Sequence, residues 1–187
     1  MHTSDTMAAT ASDDPASSDD PGGPSDDPAS PDQHRSDSPI HIDIVDPSTH
    51  VQRDVRDWLI EQTTAAVHVI GVTGSVRVRL ISDCEMAAKH LVHCGVPGTT
   101  DVITFDLSDL ERVLDVDLLV CVDEAQRQSS RRSIALEHEL LLYVIHGMLH
   151  CLGHDDHTPE DAAAMHARED EILTAIGVGP VYGRASS

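Results

Sequence analysis

Five of the thirteen histidines in this chain fall within one stretch, His146 to His166, which reads HGMLHCLGHDDHTPEDAAAMH. His146 and His150 are four residues apart, so on a helix their rings lie on one face, one turn from each other. That spacing lets two imidazoles share one metal ion. An isolated pair at this spacing is as often two hydrogen-bonded core histidines. Here the surrounding segment, Leu140 to Leu152, is apolar almost all round, and two unpartnered imidazoles in such a helix cost desolvation energy unless something binds them. Gly153 permits a sharp turn directly afterwards, and the returning chain is His154, Asp155, Asp156 and His157, four consecutive candidate ligands or partners of ligands. Three protein ligands leave a fourth position for water, as in catalytic zinc sites; four close the site structurally. Cys151 lies about 100° round the helix from His150 and points to the core, so it is not counted as a ligand.

The pattern differs from that of HExxH peptidases, because Gly147 stands where their general-base glutamate would be. The candidates for proton transfer are then Asp155, and Asp101 if the Thr99-Thr100-Asp101 loop comes near.

The elements that must carry these residues can be outlined from periodicity. Ile40, Ile42 and Ile44 alternate with polar residues as a half-buried strand. Asp46 and Pro47 read as the N-cap and first residue of a helix that ends near Gly71. Val76 to Leu80 is a second strand, and Ser82 with Glu85 predicts a capping box for a helix over 83–93. Strands are expected at Asp101–Phe105 and Asp117–Val122. From Glu124 the pattern is helical through to the central segment, and Thr158, Pro159 and Asp161 start a last helix that reaches about Ile176. The order β, α, β, α, β, β, α, α predicts an α+β fold: a small mixed four-stranded sheet around a central buried helix, with a zincin-like metal site.

Residues 1–38 are Asp, Ser, Pro, Gly, Ala and Thr with almost no aliphatics, which is the composition of a disordered tail. A folded domain over 39–178 and a flexible end over 179–187 complete the expected organisation. The tail holds nine Asp and one Arg, and of the net charge of −21 it leaves −13 on the rest of the chain. So acidic a body excludes a general polyanion-binding surface, and any RNA contact must be local. The best candidates are Arg127, Arg131 and Arg132, placed near one helical face by their spacing. Cys84, Cys94, Cys121 and Cys151 are scattered, as in a cytoplasmic protein with reduced thiols. No apolar run approaches the ~20 residues that span a bilayer, so no membrane association is expected.

The segment HGMLHCLGHDD resembles the HGxLHLxGYDH signature of the YbeY family of metal-dependent endoribonucleases. TDVITF at 100–105 is similar to that family's TDVLSF strand, DLLVC at 117–121 to its GDIVI strand, and Met165 with Glu169 and Glu171 to its terminal helix. The likeness spans roughly residues 40 to 176 in the family's order. It implies an endoribonuclease that matures the 3′ end of small-subunit ribosomal RNA and acts in ribosome quality control, with one Zn2+ per chain and no DNA partner. Carried over, the signature makes His146 and His150 metal ligands and puts the third ligand position at Asp156, where the family has histidine; His157 is the substitute. The chain also departs from the family in offering Cys94 near the place of an arginine held to aid catalysis, Val116 for a glycine, and His154 for a tyrosine. The alternatives are a metallohydrolase of another class, such as a peptidase, and a non-catalytic ribosome-assembly factor with a structural metal.

Overall fold

A computed structural model describes residues 40–110 and 113–183. The expected tail over 1–38 and the last four residues lie outside them. Four strands order as β1-β2-β4-β3: β1 (His41–Val45), β2 (Thr73–Ile81), β3 (Val102–Asp106) and β4 (Val113–Cys121). β1 and β4 run parallel to β2, and β3 is an antiparallel edge on β4, with Thr104 opposite Leu118. The sheet is therefore mixed, as expected.

One face of the sheet is apolar along its length, and the other only at one end. Along β4, Leu114, Val116, Leu118 and Val120 alternate onto one face, where they join Val76, Val78 and Leu80 of β2 in the main core. The helices α1 (Arg53–Ile70) and α4 (Leu136–Cys151) cover that face. On the other face Ile81, Ile103 and Cys121 form a small second cluster under Met86 of α2 (Asp83–Cys94). Ser82 caps α2 by accepting from the Glu85 amide at 3.3 Å, while the Glu85 side chain turns to Arg79 instead of closing the box.

Two expected boundaries are corrected. α1 starts at Arg53, not at Pro47, because the Asp46 carboxylate accepts from the Val51 amide at 2.9 Å and holds 46–51 as a turn with Thr49 at positive φ. The long helical stretch from Glu124 is two helices, α3 (Val122–Arg132) and α4. They part at Ser133, which is left-handed (φ 54°), with the Ile134 amide closing back on the Ser129 carbonyl. Neither glycine nor proline marks that break in the sequence.

α4 is the hub. It touches β3, β4, α1, α3 and α5 (Pro159–Ala175), and buries residues on every side from Glu139 to Leu149. α5 is started by Thr158, whose hydroxyl accepts from the Asp161 amide at 3.1 Å. Within the segment from 179 onwards, expected to be flexible, residues 181–183 are fastened to α5. The Asp170 carboxylate accepts from the amides of Val181, Tyr182 and Gly183 at 2.6, 3.1 and 2.7 Å, and Val181 is buried.

Candidate metal centre

His146 and His150 sit in the last turns of α4, where the helix leaves the core and both rings become partly accessible. Gly147 lies between them for a steric reason. A Cβ there would stand 2.8 Å from Leu118 Cδ2 and 3.0 Å from Thr104 Oγ1, so any side chain at this position forces its neighbours to shift. The two rings are edge-to-face, with centroids 4.5 Å apart and planes at 88°.

The Nε2 atoms of His146 and His150 stand 3.0 Å apart, and the partners on the far side of each ring show what they carry. His150 Nδ1 lies 3.1 Å from the His154 carbonyl oxygen, which only accepts, so Nδ1 donates. His146 Nδ1 donates to Glu169 Oε1 at 2.7 Å. With the proton of each neutral ring on Nδ1, both Nε2 atoms present bare lone pairs to one another. That contact is repulsive until a cation enters it.

Asp156 completes the group. Its Oδ2 lies 3.7 Å from His146 Nε2 and its Oδ1 3.9 Å from His150 Nε2, and the three donor atoms lie within 4.8 Å of one another. Ligand atoms about 2.1 Å from a tetrahedral zinc ion are about 3.4 Å apart, so a slight opening of the imidazole pair and a slight approach of the carboxylate suit this donor set to such an ion. Gly153 delivers Asp156 to the site. Its amide closes on the His150 carbonyl at 3.0 Å in the left-handed region (φ 85°), and the chain doubles back. His157 does not join the pair, because its Nδ1 bonds the Asp155 carboxylate in the exposed turn. Cys151 stays outside as well: its sulfur is not in this group of donor atoms, and burial pushes its thiol up to about 12.

Glu169 was not named as a site residue from the sequence, yet it is fully buried. The signal was present: Met165, Glu169, Ile172 and Leu173 form the buried stripe of α5, and a glutamate in a core stripe needs a partner. An uncompensated buried carboxylate costs several kcal/mol, which is why its bond to His146 matters. Burial opposes charging the His146 ring, but the bond to Glu169 and the charges of Glu169, Asp101 and Asp156 outweigh it and raise its pKa.

His146 and Asp156 open onto a cavity of about 390 Å³ walled also by Asp101, Tyr143, Arg132 and Tyr182. Asp101 is anchored there by the Thr100 hydroxyl and the Val102 amide, both donating to its Oδ1 at 2.9 and 2.8 Å. Asp155 does not line it, and the His157 bond holds its carboxyl below the usual range. The structure divides the arginine trio. Arg127 is clamped by Asp83, at 2.6 and 2.8 Å, and by Glu124; Arg131 is exposed away from the cavity; Arg132 alone lines it. The expectation of one shared face fails because Arg132, five residues after Arg127, is turned about 140° from it around the helix.

Comparison with known proteins bears on all of this. The family described as endoribonuclease YbeY matches residues 41–177. An endoribonuclease YbeY of Macrococcus caseolyticus is 35% identical over 112 residues, which cover 55% of this chain and 72% of that protein. One of Oceanobacillus iheyensis is 30% identical over 152 residues, covering 74% of this chain and 99% of the relative. The solution structure of TM1509 from Thermotoga maritima shares the fold at a TM-score of 0.50 and 23% identity, covering 78% of this chain and 98% of that one.

Proposed function

The chain belongs to the endoribonuclease YbeY family, and from that premise we propose that it is a zinc-dependent endoribonuclease cutting single-stranded RNA in ribosomal RNA maturation. On this reading it trims the 3′ end of the small-subunit RNA, takes part in ribosome quality control, and works in the cytoplasm. Among the described residues no helix is long and apolar enough to cross a membrane. The observation that carries the reading is the pair of bare Nε2 atoms of His146 and His150, 3.0 Å apart and facing the Asp156 carboxylate.

His146, His150 and Asp156 would hold the ion, with His157 as a bystander in the exposed turn. When bound, such an ion polarises a phosphate oxygen and makes water a stronger acid. The residues do the rest. Glu169 and the His154 carbonyl keep both Nδ1 protons in place, so neither ring rotates or changes tautomer. Asp101, anchored on the cavity wall, is the proton acceptor in reach of the substrate; Asp155, spent on His157, is not. Thr99 and Thr100 add hydroxyls to the same wall. A peptidase reading is disfavoured by Gly147, which stands where the glutamate base of HExxH peptidases would be.

The test is metal analysis of the purified chain together with cleavage of precursor small-subunit ribosomal RNA. His146→Ala, His150→Ala and Asp156→Ala should each lose the metal and cleavage, while His157→Ala keeps both. Cleavage that persists in a metal-free His146→Ala/His150→Ala double variant refutes the mechanism.

A further inference from the structure

Every polyanion that enters the cavity meets carboxylates first. Asp101, Glu124 and Asp156 line it, and Arg132 is its one Lys or Arg among the described residues. Among the described residues, most other arginines are closed by carboxylates: Arg77 by Asp115 and Asp117, Arg79 by Glu85, Arg127 by Asp83 and Glu124, Arg168 by Glu171. Cys94, near the place where relatives were expected to carry an arginine, is exposed and does not line the cavity.

Arg132 is held differently from the others. Its Nη1 bonds Glu139, which is fully buried in α4, while the arginine side chain remains 31% exposed. The pair is therefore a dipole with its negative end in the core and its positive end towards the cavity. A guanidinium has five N–H donors, and Glu139 engages Nη1, so donors remain on the cavity side. The Tyr182 ring lies against the guanidinium, 5.1 Å from Cζ to the ring centroid. His166 stacks on that same ring at 3.8 Å and 15°. Tyr182 is delivered by the terminal segment, whose three amides are fastened to Asp170. A planar fork fixed by a buried acid and an aromatic ring is suited to a phosphodiester, whose two free oxygens match its geometry.

We infer that Arg132 is the phosphate-contacting residue of this site, receiving a phosphate of the RNA strand that lies against His146, and that Glu139 and Tyr182 are the residues that position it. This rests on the endoribonuclease reading above. It also places part of the substrate wall on Tyr182, beyond the segment that matches the family.

The test uses the metal-loaded full chain and a single-stranded RNA oligonucleotide. Arg132→Gln should raise KM roughly 10-fold with kcat changed much less, as expected for losing one charged hydrogen bond to substrate. It should also lower the slope of log kcat/KM against log salt by about 0.7, the share of one phosphate contact on a single strand. Because Arg132→Gln leaves Glu139 buried without its cation, Arg132→Gln/Glu139→Gln is measured beside it; that variant removes the orphaned charge and should show the same KM and salt slope at wild-type metal content. Tyr182→Leu should raise KM by a smaller factor without changing the slope, and Tyr182→Phe should restore it. Scanning a single neutral methylphosphonate linkage along the RNA should find one position that weakens wild-type binding but not that of the arginine variants. An unchanged KM and slope in both arginine variants, with wild-type cleavage intact, overturns the inference and leaves the nuclease reading standing. Absence of RNA cleavage by the metal-loaded wild type overturns both.

Discussion

Glu169 sets which nitrogen of His146 faces the cavity. Its Oε1 takes the Nδ1 proton, which leaves Nε2 as a donor atom beside that of His150. Replacing it by glutamine keeps an acceptor for Nδ1–H but removes the charge that makes the ring more basic. Glu169→Gln should therefore weaken metal binding about 10-fold, at the lower end of such substitutions, in competition titration against a chromophoric chelator. Folding stability should hold, since a buried charge is lost along with a charge-assisted bond. Unaltered metal affinity would reduce Glu169 to packing. The same logic explains why Asp156 and not His157 meets the pair: adjacent in sequence, the two diverge because Asp155 captures the His157 ring on the solvent side of the turn.

Between elements, two close approaches fix the site. The first is α4 against β3 and β4 at Gly147. Alanine there gains about 1 kcal/mol of helix propensity, but its methyl meets Leu118 and Thr104 at 2.8 and 3.0 Å, and overpacking costs about 1–3 kcal/mol. Gly147→Ala should then lower Tm by a few degrees, roughly what a net loss of about 1 kcal/mol does in a domain of this size; a raised Tm in calorimetry would contradict the contact. The second approach is the tie from α2 to α3, where Arg127 holds the Asp83 carboxyl down to about 2 from 3.8. A carboxyl depressed by folding stabilises above its unfolded value, and that contribution disappears as pH falls through the folded one. Asp83→Asn should cost about 1 kcal/mol at pH 7, a figure reduced for the exposure of the pair. The gap between wild type and variant should close between pH 4 and pH 2 in denaturant titrations, and a gap that stays constant over that range would dismiss the pairing.

At the scale of the whole molecule, Ile40, the first of the described residues, packs against the core, and the compact unit is bounded at Asp37. A chain cut to start at Asp37 should melt within about 1 °C of the full one and keep its metal; a larger fall would give the acidic segment a structural role. The α+β class, the four strands, the capping of α2 and α5 and the histidine pair were all legible in the sequence. They depend on local periodicity and on residues within four positions of one another, which a helix or strand converts directly into geometry. The break at Ser133 and the late start of α1 were not legible, since each hangs on a backbone turn without glycine at its left-handed residue. Nor were the assignments that join distant segments: Glu169 to His146, Arg132 to Glu139, Asp170 to the terminal amides, and Arg132 rather than Arg127 to the cavity. Sequence by itself determined that two imidazoles and a following acidic turn would lie together. Only the packing of α5 and α3 around α4 decided which proton the His146 ring keeps and which arginine faces the cavity, because a buried charge takes its partner from whatever the fold brings beside it.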